Sequence, residues 1–131
     1  MTEKHNESTI NRPFGERPID APAVSIDIPA YIQQIKDEEA WRKNDRNAIT
    51  VFKTPGMTIV LVALHAKAEI AKEASEGLMS IQLMDGEIQI ETENGPITLE
   101  KGHAFAVHKG YPYSLQALKE SVFLLTMVNA D

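Results

Sequence analysis

The sequence predicts an all-β domain, a sandwich or barrel of about eight short strands, behind an N-terminal arm and one short helix. From residue 48 onward, stretches rich in β-branched and aliphatic residues recur at near-regular spacing with turn residues between them. Asp85-Gly86 and Asn94-Gly95 are signals for tight hairpin turns, whose positive φ favours glycine. Glu87 to Glu91 and Ile97 to Glu100 alternate strictly between polar and apolar, so each strand has one wet and one dry face.

Each element follows in order. Residues 1–26 hold Pro13, Pro18 and Pro22, show little periodicity, and read as an extended or partly disordered arm. Residues 27–131 form the single folded domain. Asp27 before Ile28-Pro29 is a helix start, since Asp caps exposed amides and Pro fits the first turn. Ile28, Tyr31, Ile32 and Ile35 then recur at helical spacing, which predicts a helix over 29–40 laid against the sheet. Trp41, the only tryptophan, packs on the barrel. Strands follow over 48–53 and 58–65, separated by Thr54-Pro55-Gly56. A strand over 78–84 is expected to meet 87–92 in a hairpin across Asp85-Gly86, and Asn94-Gly95 turns into 96–100. Strands over 103–108, 113–118 and 122–128 complete the set.

Composition narrows the function classes. The chain of 131 residues is near the common size of one domain, and 43% apolar with 24% charged residues is ordinary for a globular protein. The longest apolar run, Ile59 to Leu64, is far too short to span a bilayer, and the opening residues are too polar for a secretory signal. A cytoplasmic protein is the expectation, with no membrane partner. Cysteine is absent, which removes disulfides, thiolate catalysis and zinc-thiolate sites. A net charge of −6 offers phosphates no basic surface, so no nucleic-acid partner is expected. Ser in a Gly-x-Ser-x-Gly elbow and phosphate-cradling glycine loops are also absent.

Two glycine-anchored stretches, Lys67 to Gly86 and Gly102 to Ala117, resemble the two motifs of the cupin family. Gly86 closes the first frame, and counting back places Met79 at the family's glutamate, Glu73 and Ser75 at its two histidines, and Lys67 at its opening glycine. In the second, Gly102 and Gly110 keep the spacing, while His108 stands at the proline, Tyr113 at the histidine ligand and Ala117 at the asparagine. The resemblance covers residues 58–128. It implies a double-stranded β-helix, the cupin jelly-roll barrel, in which all four metal positions are substituted.

Period-two geometry gives the interior. If Met79 points into the barrel, so do Ile81 and Leu83, with Ser80 and Gln82 outside; if Tyr113 points in, so do Leu115 and Ala117, with Ser114 and Gln116 outside. The ligand positions then line an apolar pocket. Nitrogen and oxygen donors suit the metals such barrels hold, and only Glu73 is a good one: neutral Ser75 is weak and Met79 prefers soft metals. No metal and no other cofactor is expected.

Glu73, Ser75, Met79, His108 and Tyr113 are therefore the expected ligand-binding residues, with His108 and Tyr113 near enough in sequence to reach one barrel mouth. The first reading is a metal-free cupin that binds or senses a small molecule without catalysis. A second is a metal-independent isomerase or lyase acting on a small sugar or keto-acid-like substrate, with Glu73, His108 or Tyr113 as acid and base. A third recruits His65 or His103 as substitute metal ligands. A homodimer is also expected, because the arm carries Phe14, Ile19, Val24 and Ile26 with no evident place in its own core.

Overall fold

The computed structural model describes residues 4–6 and 17–129. Short strands β1 (Lys4–Asn6) and β2 (Arg17–Asp20) lead to helices α1 (Ile28–Asp37) and α2 (Glu39–Lys43). Nine strands follow: β3 (Arg46–Thr54), β4 (Met57–Leu64), β5 (Glu69–Ala74), β6 (Leu78–Asp85), β7 (Glu87–Thr92), β8 (Gly95–Glu100), β9 (Ala104–Val107), β10 (Pro112–Ala117) and β11 (Ser121–Val128). They form two antiparallel sheets, ordered β3-β4-β11-β6-β9 and β5-β10-β7-β8. From β4 onward the chain changes sheet at every connection except the β7–β8 hairpin, which is the winding of a jelly roll.

Alternation along the strands builds two separate cores. Val62 and Leu64, Met79, Ile81 and Leu83, Leu115 and Ala117, and Phe123 point between the sheets, where Ile88, Ile90 and Leu99 meet them. The intervening residues Leu61, Ala63 and Val122 face the other way, with Ile49 and Val51, and are covered by Ile35 and Trp41 from the helices. The molecule is thus three layers, helices on the five-stranded sheet on the four-stranded sheet.

Asp27 caps α1 as its position predicts, accepting from the Ala30 amide at 3.1 Å. The helix stops at Asp37, short of the expected 40, because Glu38 adopts an extended backbone with ψ 149°. Its buried carboxylate accepts from Asn47 Nδ2 on β3 at 2.9 Å, and this bond across layers fixes the break. The arm also differs from expectation. β1 and β2 pair with each other, Ile19 is buried within its own chain, and Ile26 packs on the helix-side core. These two side chains supply no argument for a second subunit; Phe14 lies outside the described residues.

Asp85-Gly86 is not a hairpin. β6 pairs with β11 and β9, whereas β7 pairs with β10 and β8, so the dipeptide is a corner between sheets. The positive φ is real, +92° at Gly86, but its purpose is approach: the Ser121 and Glu120 backbone lies where a side chain would be. Ser121, fully buried, knits the corner by accepting from the Glu87 amide at 3.0 Å and donating to the Lys119 carbonyl at 2.8 Å. Asn94-Gly95 does sit in the β7–β8 hairpin, with Thr92 paired to Gly95 and positive φ on the glycine alone, +107°.

Lys67 has φ +77°, which no other non-glycine among the described residues shares on the positive side. It occupies the position of the first motif's opening glycine, so the motif's backbone persists although its residue has changed. Lys67→Gly should relieve the left-handed strain and raise stability by about 0.5–1 kcal/mol. A lower chemical-denaturation midpoint for the variant would contradict this account.

Candidate functional site

At one end of the barrel two rows of inward positions face each other. Across the five-stranded sheet, backbone register aligns Lys53, Thr58, Met127, Met79 and Val107 on adjacent strands. On the other sheet, Tyr113 of β10 lies opposite Glu73 of β5. Met127, Val107 and Tyr113 are partly buried against the inter-sheet core, and Met79 is almost fully buried.

The two walls touch where Tyr113 Oη donates to Met79 Sδ at 3.5 Å. A thioether is a weak acceptor. Tyr113 is half-buried, and its hydroxyl pKa is raised above 10, by burial first and by the Glu73 carboxylate second. The phenol is accordingly neutral near pH 7 and available as a donor. Unfolded chain, with the lower pKa, loses this proton first, so it binds fewer protons than the folded state between the two values. The linked stabilisation is complete below pH 10 and is lost as pH rises through the higher folded value. Wild type should therefore show a steeper fall in stability above pH 10 than Tyr113→Phe; equal slopes would place the hydroxyl in solvent.

The five expected residues divide. Met79, Tyr113 and Glu73 come together at the barrel mouth. Ser75 is buried, and its hydroxyl donates to the Gly77 carbonyl. Its backbone accepts from Gly110 N at 2.6 Å and donates to the Tyr111 carbonyl at 3.3 Å, so Ser75 ties the end of β5 to the loop before β10. His108 does not join Tyr113. It is exposed and lines a concavity of about 350 Å³ with the outward residues Leu78, Ser80, Ala106, Thr126 and Val128, to which Met79 and Val107 of the inward row also contribute. Phase explains this placement: Phe105 and Val107 of β9 point inward, so the next residue points out.

His65 and His103 are engaged away from the mouth. His65 Nε2 donates to the Trp41 carbonyl at 2.9 Å, and its ring stacks on the indole with centroids 3.5 Å apart. His103 Nδ1 accepts from the Glu100 amide at 3.1 Å within the β8–β9 turn. Among the described residues no three His, Cys, Asp or Glu side chains converge as a metal would require. Glu73 is the single carboxylate or imidazole at the motif positions, so the residues present do not fit the metal centre that the fold implies.

Met127 is a mouth residue that lies outside both motifs, and Val107, inside the second, was not among the expected binding residues. The signal for Met127 was present in β11, where Phe123, Leu125 and Met127 recur at period two.

Solved structures with the same winding are numerous. A cupin superfamily protein of Desulfitobacterium hafniense DCB-2 superposes with a TM-score of 0.64 at 14% identity, covering 66% of this chain and 80% of that one. A conserved protein of unknown function from Streptococcus pyogenes gives 0.68 at 18% identity, over 86% of this chain and 93% of that one. The Cnp3 cupin domain of Schizosaccharomyces pombe gives 0.62 at 18% identity, over 99% and 89%. No protein-family profile matches the chain, and no curated protein sequence does. At these identities the likeness is one of fold: the jelly roll is that of the cupins. No helix among the described residues is long and apolar enough to cross a membrane.

Proposed function

We propose that this chain, which has the cupin fold, binds a small molecule non-catalytically at the open end of its barrel, as a binding or sensing module. The observation that carries this reading is the Tyr113 hydroxyl, held at 3.5 Å on a thioether inside an otherwise aliphatic wall. A half-buried donor on so weak an acceptor gains by exchanging it for a ligand oxygen or nitrogen. An apolar wall carrying one or two fixed polar groups is the usual lining of a small-molecule site.

The placement of the acid–base candidates favours binding over isomerase or lyase chemistry. His108 and Tyr113 line different concavities, and the Tyr113 pKa moves away from neutrality, whereas proton transfer at pH 7 needs both groups on one substrate and tuned toward it.

Thermal stabilisation by a panel of sugars, keto acids and phenols tests the reading, because a ligand bound only by the folded state raises apparent stability. Compounds that stabilise the wild type should lose about tenfold in affinity on Tyr113→Phe, the loss of one hydrogen bond, while the unliganded melting temperature changes little. Ligands that bind wild type and variant equally would remove Tyr113 from the site. Turnover of any stabilising compound, measured in the same samples, would replace the binding reading with the enzymatic one.

A further inference from the structure

The charges around the mouth are unevenly placed. Glu73 lies opposite Tyr113 on the inner face, close enough for its charge to act on the phenol. The cation that register places on the same inner face, Lys53, is exposed on β3, three strands from Met79, about 14 Å at the usual strand spacing. A smaller concavity, lined in part by Tyr113, adds Glu91 and Glu93 with Lys72. Between Glu73 and the thioethers of Met79 and Met127 the wall is apolar. A ligand head at Tyr113 therefore meets a carboxylate first, and a ligand body beyond it meets sulfur and aliphatic carbon.

Resting on the binding reading above, we infer that the site selects ligands with a hydrogen-bond-donating head, an ammonium or a hydroxyl, on an apolar body, and discriminates against carboxylates. Glu73 accepts from such a head, and Tyr113 supplies a second polar contact as donor to oxygen or acceptor from nitrogen. An anionic head in that position faces like charge from Glu73, which is exposed but opposite Tyr113. The apolar body covers Met79 and Met127, whose flexible thioethers adapt to shape.

Three probes with one body and different heads test this: cyclohexylamine, cyclohexanol and cyclohexanecarboxylate. Each is titrated into the full chain carrying methionine labelled with carbon-13 at its methyl groups. The Met79 and Met127 methyl resonances should move, while Met84, which packs on the helix side of the sheet, stays still. The amine is expected to bind at least about tenfold more tightly than the carboxylate, with the alcohol between them. Glu73→Gln keeps the shape and removes the charge; it should lower amine affinity about tenfold and change alcohol affinity about twofold or less. A carboxylate that binds as tightly as the amine, or an amine indifferent to Glu73→Gln, overturns the inference and leaves the pocket standing. No shift of Met79 or Met127 with any probe up to about 10 mM removes the pocket itself.

Discussion

Gly86→Val is expected to lower stability by about 4 kcal/mol, a large fraction of the roughly 5–15 kcal/mol that holds a typical domain folded. Positive φ alone, +92° here, costs a β-branched residue about 1–3 kcal/mol. The corner adds a second cost. A Cβ at this position would lie 2.7 Å from Ser121 Cα and closer still to the Glu120 carbonyl, both in the chain entering β11. Relief requires moving β11, the strand between β4 and β6, so the strain cannot be dispersed by a side-chain rotation. Chemical denaturation measures the effect directly. A loss under about 2 kcal/mol would mean that the two chains separate at the corner more readily than their packing indicates. Gly95→Val, with φ +107° but open space around it, should pay the backbone cost only and fall below Gly86→Val.

Ile35→Ala is expected to cost about 3 kcal/mol. Ile35 has no solvent exposure and is the point at which α1 enters the outer core of Trp41, Ile49, Val51, Leu61, Ala63 and Val122. Truncation leaves a cavity that the flanking sheet, hydrogen-bonded on both sides of β4, does not collapse to fill. Far-ultraviolet dichroism should report a single transition shared by helix and sheet. A cost below about 1 kcal/mol, or a separate early helix transition, would show that the helical layer is an accessory to the barrel and not part of its core.

What the sequence disclosed was local periodicity, and it disclosed that well. Met79, Ile81 and Leu83 point inward as one set and Tyr113, Leu115 and Ala117 as another, because alternation needs no knowledge of the partner strand. The start of α1 was equally legible, since the Asp27 cap and Pro29 act within one turn. Pairing was not legible, because it is decided by residues far away in the chain. Asp85-Gly86 carries the same local signal whether its flanking strands join each other or separate into two sheets, and only the approach of Ser121 distinguishes the cases. β5 escaped for a different reason. Glu69 to Ala74 lacks β-rich wording, with only Ile70 packed on the core, and is held as a strand by pairing with β10. At the site, Glu73, Met79 and Tyr113 followed from frame and phase, while Ser75 could not be assigned without seeing Gly77 and Gly110 closing on it.

The position of β11 has a consequence for how the molecule comes into being. Leu124 pairs with Leu61 on one side and Gln82 on the other, so the last of the nine strands to leave the ribosome sits in the middle of its sheet. Until it arrives, β4 and β6 each present an open edge, and Phe123 has yet to enter the space between the sheets. The β3–β4 hairpin closes across two residues, but the sheet as a whole must wait for the pairing of β11 with β4, about half a chain away in sequence. Such distant closure makes folding slow relative to domains built from local contacts and leaves the nascent chain most vulnerable to association with its neighbours just before completion.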